Sequence, residues 1–333
     1  MSIKAYAAHG CGQALEPFAY EPPPLGPHDV DIAVTHCGIC HSDVHMIDND
    51  WKMSRYPLVP GHEVVGTVAA TGSAVTHLKK GQRVGLGWQS GSCMECEWCI
   101  RGDETCCPKE EGTIVGRHGG FAGAVRADGR FAIPIPEGLS SETAAPLLCG
   151  GVTVYTPLKT NVQPASRVGV IGIGGLGHMA IRFAHAMGCE VTAFSTSPDK
   201  RAEAKTHGAD NFVVSTDAEQ LRRAAASMDV LISAVTVDLD WEAWLKVLRP
   251  RGTLALVGAS PGNVSVPVNA LIVGKKSIQG SAIGNRSTIR EMLEFAARHG
   301  IGAQTEVVPM SEVNAAINKV RTNRARYRMV LKN

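Results

Sequence analysis

Five cysteines crowd into residues 93–107 of this 333-residue chain, and the spacing Cys93-x2-Cys96-x2-Cys99-x7-Cys107 supplies four thiolates. Four thiolates in a compact lobe are enough for a closed tetrahedral zinc site with no open position. Coincidental buried cysteines do not suit a segment this polar, with Glu95, Glu97 and the Arg101-Gly102-Asp103-Glu104 run between them. Cys106 competes with Cys107 as fourth ligand, and spacing leaves both open. A second set is dispersed: Cys37 and Cys40-His41-Ser42-Asp43-Val44-His45, then Gly61-His62-Glu63, then Cys149. A catalytic zinc needs about three protein ligands and an exchangeable position, and two cysteines with one histidine are a known solution. Singly, each has a plainer reading: His62 as an ordinary hydrogen-bonded histidine, Cys149 as packing in its apolar run. Cys37 and Cys40 also have the spacing of a thiol redox pair, without the strand-to-helix setting that motif wants.

Gly172-Ile173-Gly174-Gly175-Leu176-Gly177 satisfies G-x-G-x-x-G between an apolar strand, Val168 to Ile171, and a helical pattern of Met179, Ala180, Phe183, Ala184 and Met187. The first glycine permits the tight turn, the second lets backbone approach a pyrophosphate, and the third packs helix on strand. The anion then sits at the helix N-terminus. About 20 residues further on, such folds place an acid that accepts from the ribose 2′-hydroxyl. Here that place holds Ser195-Thr196-Ser197, with Lys200 and Arg201 following. Small hydroxyls and two cations suit a 2′-phosphate and leave a bare ribose without its acceptor, so NADP(H) is expected over NAD(H). The plainer reading, Ser197 capping a helix that begins at Pro198, does not explain the absent acid.

Repeated strand–helix units must position that loop. Strands over 190–195, 211–214, 229–233 and 253–257 alternate with helices from Pro198, from Asp217 and over 241–248, which predicts an α/β fold with a doubly wound parallel sheet. Gly188 reads as the C-cap of the first helix. Ile289, Met292, Leu293 and Ala296 mark one more amphipathic helix, ahead of a basic tail from Arg321. Before residue 148 the signals are those of strands and turns. Val30, Ile32 and Val34 alternate with Asp29, Asp31 and Ala33, residues 122–131 turn over at Asp128-Gly129, and little has helical length.

Thirty-three basic against 31 acidic residues leave a net charge of +2, with no basic block to track a phosphate backbone. Nucleic-acid and membrane-surface partners are therefore not expected. No apolar run approaches the ~18 residues of a membrane span, and the first residues lack signal-peptide character, so the reading is a cytoplasmic protein of about two domains. In a reducing compartment its 10 cysteines read as metal ligands rather than disulfides. A nucleic-acid-binding zinc ribbon would want a basic face, whereas Glu95, Glu97, Asp103 and Glu104 surround these cysteines.

Together these residues resemble the zinc-dependent medium-chain alcohol dehydrogenases, specifically the cinnamyl alcohol dehydrogenase-like branch that includes bacterial NADPH-dependent aldehyde reductases. The resemblance runs through the 38–43 and 61–63 segments, the cysteine lobe, the 146–155 run, the glycine fingerprint and Arg326-Tyr327-Arg328. It implies a GroES-like β-rich catalytic domain, residues 1–148 and 285–333, around a Rossmann domain over 149–284. It also implies two zincs per chain: Cys40, His62 and Cys149 on the catalytic ion with Glu63 beside them, and the lobe cysteines on a structural one. Asp43 would orient the ligand histidine, and Cys37 would only pack. Thr153 matches a nicotinamide contact, and His41 and Arg328 match pyrophosphate contacts. Trp51 and Trp88 read as aromatic walls of the substrate pocket. Zinc would polarise an aldehyde or stabilise an alkoxide, hydride would pass to or from nicotinamide, and Ser42 would start a proton path through the cofactor ribose to His45. The small-molecule partner is then an aldehyde or primary alcohol. A polyol or secondary-alcohol dehydrogenase on the same scaffold is the alternative, as is a catalytically idle NADPH-binding protein, which would want broken ligands. Relatives pair through the edge of the nucleotide-domain sheet, so a homodimer or tetramer is expected, with the apolar stretch from Val264 to Val273 as the candidate face.

Overall fold

The computed structural model of the protein describes residues 2–260 and 262–333. The chain divides into two compact units, one of residues 1–152 and 284–333, the other of residues 153–283.

In the second unit six strands pair in parallel. Arg167–Ile171 and Glu190–Ser195 lie side by side, Asn211–Val214 forms one edge, and Met228–Ser233, Leu248–Leu256 and Ser277–Gly280 extend the other way. Counted in chain order this is the 3-2-1-4-5-6 arrangement, with its reversal beside the strand that feeds the glycine loop. Val168, Gly169, Val170 and Ile171 are all buried, as a parallel strand covered on both faces requires. Pro198–Lys200 is a 3-10 turn before the helix Arg201–Thr206, and Ser197 makes no side-chain cap there. The expected serine cap is therefore absent. Leu248, expected to end a helix, instead opens a strand.

The first unit holds a mostly antiparallel seven-stranded sheet. Its central strand, Asp29–Ile39, buries Val30, Ile32 and Val34 on one face, which is the period-two pattern of a sheet covered on one side. It is flanked by Glu63–Thr71 and, on its other edge, by Ala124–Asp128 and Arg328–Lys332. Residues 122–131 do turn over after Asp128, in the 3-10 turn Gly129–Phe131, and the next strand pairs with Arg83–Leu86. One expectation fails here. A genuine helix, His41–Asp48, lies where little of helical length was expected. Later in this unit, the helix Arg286–His299 starts against the cysteine lobe. The buried Glu104 carboxylate accepts from the Arg286 backbone N–H at 3.0 Å and from its Nε at 2.5 Å.

Candidate active site

Asp43 organises the dispersed set. It is fully buried at the third position of the helix His41–Asp48, and one of its oxygens accepts from the Cys40 N–H at 2.9 Å. The other oxygen accepts from the Gly61 N–H at 2.8 Å and lies 2.9 Å from His62 Nδ1. One carboxylate thus fixes the backbone of one candidate ligand and the ring of another. With Nδ1 on a carboxylate, the neutral imidazole keeps its proton there and offers the Nε2 lone pair to a cation. Among the described residues, neither buried His62 Nε2 nor Glu63 Oε2 has a hydrogen-bond partner.

Cys40, His62, Glu63 and Cys149 bring one ligand atom each to within 4.8 Å of one another. Their charge states are already entangled. A hydrogen bond from Cys149 draws the Cys40 thiol well below its usual range, and that charge in turn holds the Cys149 proton on. Burial lifts the Glu63 carboxyl to about 7 against the pull of the Arg328 guanidinium. Burial disfavours an imidazolium at His62, yet Asp43 and Cys40 outweigh it and raise its pKa. A divalent cation fits this donor set: two sulfurs, an orphaned imidazole nitrogen and an adjacent carboxylate, buried where unpaired polar atoms are costly. Gly38 makes the carboxylate's room, since a Cβ there would come within 2.0 Å of Glu63 Oε2.

Arg328 is where sequence reasoning missed a partner. It is buried and its Nη2 donates to Glu63 Oε1. The register that pairs Met329 with Ile39 carries it to the Cys40 end of the central strand. His45 Nδ1 lies 2.7 Å from Asp50 Oδ2, a second unforeseen contact. Ser42 and His45, one helical turn apart, share a side of their helix, and Ser42 Oγ is 3.7 Å from Cys40 Sγ. The Trp88 ring stands edge-on to His62 at 5.2 Å, and Trp51 packs 5.9 Å from Trp88 and 5.2 Å from His45. Cys37 is buried outside the cluster, its thiol turned to the Gly38 carbonyl.

The lobe thiols converge as a second group of Cys93, Cys96, Cys99 and Cys107, and exposed Cys106 points instead toward Asp103. Adjacent sulfurs are 3.5, 3.6 and 3.9 Å apart. Disulfides need about 2.05 Å, whereas a tetrahedron with metal–sulfur arms of about 2.3 Å has edges of about 3.8 Å. Backbone N–H groups of Glu95 and Cys96 pull Cys93 down to about 6. At Cys96 the Cys99 N–H acts in the same sense, but burial and the neighbouring thiols push it up to about 11. Four sulfurs converging at these distances without a disulfide are the donor set a structural cation fills.

In the nucleotide unit, Gly172 adopts φ +88° and a Cβ on Gly177 would fall 1.8 Å from the Gly172 carbonyl oxygen, so both must be glycine. A Cβ on Gly174 would meet nothing within 4 Å, which leaves open space beside the loop ahead of the helix Gly177–Ala186. That cradle, followed by Gly175 and Leu176, fits a pyrophosphate. Ser195 ends its strand with Oγ accepting from the Ser197 N–H at 3.2 Å, and Thr196 is exposed between them. Lys200 Nζ reaches the Ile173 carbonyl at 2.6 Å, which ties it to the glycine loop. Arg201 turns elsewhere, its guanidinium 4.7 Å above the Phe212 ring. Thr153 is buried on the helix Gly150–Asn161, and His41 opens its own helix exposed.

The profile of the alcohol dehydrogenase GroES-like domain matches residues 26–137, and that of the zinc-binding dehydrogenase domain matches residues 175–298. An aldehyde reductase from Synechocystis sp. is 44% identical over 99% of this chain and 98% of its own. This chain belongs to the zinc-binding alcohol dehydrogenases. Among solved structures, a cinnamyl alcohol dehydrogenase from Sorghum bicolor superposes with a TM-score of 0.95 at 41% identity, covering 100% of this chain and 98% of that one. A Helicobacter pylori cinnamyl alcohol dehydrogenase complexed with NADP(H) gives 0.92 at 31% identity, with the same coverage. Both parts of the expected α/β architecture, the GroES-like domain and the Rossmann domain, are those of this dehydrogenase family.

Proposed function

We propose that this dehydrogenase reduces aldehydes to primary alcohols with NADPH, and runs the reverse oxidation, at a zinc held by Cys40, His62 and Cys149 with Glu63 beside it. One observation carries the reading: the orphaned, fully buried His62 Nε2 in a cluster with two thiols and a carboxylate. The aldehyde reductase and the NADP(H)-bound neighbour support the substrate and cofactor, as does a strand end with Ser195 in place of an acid. When bound, zinc supplies Lewis acidity toward a carbonyl oxygen and NADPH supplies the hydride. Asp43 keeps His62 in the tautomer that offers Nε2. Arg328 opposes the burial that raises the Glu63 carboxyl and, by binding its Oε1, leaves Oε2 for the cluster. In reduction Ser42 Oγ, beside Cys40, would give its proton to the substrate oxygen and be resupplied from the side of His45, one turn on and steadied by Asp50; in oxidation the proton would leave the other way. Trp88 and Trp51 give the site an apolar wall suited to flat or unbranched chains. Ser195, Thr196, Ser197 and Lys200 take the 2′-phosphate, and His41 and Thr153 serve the rest of the cofactor. Arg201, stacked on Phe212, must leave that ring to join them.

Two further points belong to the same reading. The protein works in the cytoplasm; among the described residues no helix is long and apolar enough to cross a membrane. It pairs as a homodimer through the helix Val268–Gly274, where Val268, Ile272 and Val273 are 67–76% exposed just before the edge strand Ser277–Gly280.

The deciding experiment measures initial rates of aldehyde reduction with NADPH and with NADH on protein of known zinc content. Two zincs per chain, a strong NADPH preference and loss of turnover on chelation are expected. Preference for NADH would overturn the 2′-phosphate reading alone; one zinc and no turnover with any aldehyde would overturn the catalytic one.

A further inference from the structure

The wall residue Trp88 belongs to a segment that is fastened at successive backbone carbonyls by a single buried residue. Thr113 is 1% exposed. Its Oγ1 donates to the Gly87 carbonyl at 2.7 Å, and its backbone N–H donates to the Trp88 carbonyl, also at 2.7 Å. One residue further, Gln89 pairs with Gly112, and its side-chain amide donates to the Glu104 carbonyl at 2.8 Å. On the opposite side the segment has no slack, because a Cβ on Gly87 would meet the Leu148 carbonyl at 2.6 Å, immediately before Cys149. The Gly87–Trp88 peptide is therefore wedged between a candidate zinc-ligand segment and Thr113. Thr113 itself follows the short strand Glu111–Gly112 that leaves the cysteine lobe after Cys107. The ring it carries is the one that stands 5.2 Å from His62.

We propose that Thr113 is a positioning residue that sets the place of Trp88 in the aldehyde site and so sets discrimination between flat aromatic and small aliphatic aldehydes. Its hydroxyl holds the Gly87 carbonyl and its N–H holds the next one, so the tilt of the Trp88 backbone has no free torsion to absorb a change. The cysteine lobe acquires a role in selectivity through the same connection, since Thr113 is the end of the segment that the lobe anchors. This inference rests on the reading of Trp88 as a substrate wall. A wall contact stabilises bound substrate before and during reaction alike, so its displacement appears in KM rather than kcat, and only for substrates large enough to reach it.

The test compares Thr113→Val, which keeps shape and loses the hydroxyl, with Thr113→Ser, which keeps the hydroxyl, in the zinc-loaded enzyme with NADPH. KM for a cinnamaldehyde-sized substrate should rise about tenfold in Thr113→Val. KM for propanal and both kcat values should stay within about twofold, and Thr113→Ser should restore discrimination. Independently of turnover, the Trp88 indole N–H resonance in tryptophan-labelled protein, assigned by its loss in Trp88→Phe, should move in Thr113→Val and not in Thr113→Ser. If Thr113→Val does not fold, Thr113→Ala carries the same expectations. Equal KM changes for both aldehydes, or an unmoved Trp88 resonance, would overturn the proposal. Failure of the wild-type enzyme to reduce either aldehyde would instead overturn the functional reading, and the resonance would still decide whether Thr113 positions Trp88.

Discussion

Asp43 concentrates more of the site than any ligand does. It accepts from Cys40, Gly61 and His62 at once, so its loss both frees the ligand ring and unpins the turn that presents Cys40. Asp43→Asn should weaken the catalytic zinc about 10–100-fold, the usual cost of removing such a partner, while the lobe zinc stays put. Metal analysis after graded chelation would show one zinc leaving early; simultaneous loss of both would contradict the assignment. Ser42→Ala tests a different atom. Removing the hydroxyl beside Cys40 should cut turnover about 10²–10⁴-fold, the worth of a positioned proton carrier. Zinc content and NADPH binding should remain, and a wild-type rate would exclude Ser42 from proton transfer.

Elements differ in how openly the sequence declared them. The glycine loop and its flanking strand were legible because strain-free positive φ at Gly172 and the 1.8 Å approach at Gly177 demand residues that nothing else can replace. The eight-residue helix His41–Asp48 was not, because an end-capping carboxylate makes it rather than a long apolar stripe. Asp43 at its third position accepts from the residue before the helix, and this reciprocal bond replaces hydrophobic periodicity as the nucleating signal. The Arg328–Glu63 pair is not legible in the sequence, because it depends on strand register and no spacing rule connects positions 265 residues apart. The cysteine lobe stood between these cases: four ligands were evident, and only geometry separates Cys107 from Cys106. Cys106→Ser should therefore leave two zincs per chain, and Cys107→Ser should leave one and lower the melting temperature. Equal metal loss in both variants would mean that Cys106 shares the ion.

At the scale of the molecule, the exposed apolar helix Val268–Gly274 makes an assembly prediction. A charge at Val273, which is 76% exposed, costs the isolated unit little and disfavours an apolar contact between copies. Val273→Asp should move the protein from dimer to monomer in sedimentation with its secondary structure unchanged; an unaltered dimer would place the contact elsewhere. The strand Arg328–Lys332 has a temporal consequence. It fills a gap beside Asp29–Ile39, where Asn333 bonds to Val34 across 299 positions, while every strand of the nucleotide unit finds its neighbours within one contiguous stretch. Until that late strand arrives, the segment leading to Cys40 has an unpaired edge and Glu63 has no guanidinium beside it. Distant pairings form slowly. Refolding should accordingly regain the cofactor cradle first and zinc affinity at Cys40 later, and the interval between them is when the chain is most exposed to edge-to-edge aggregation.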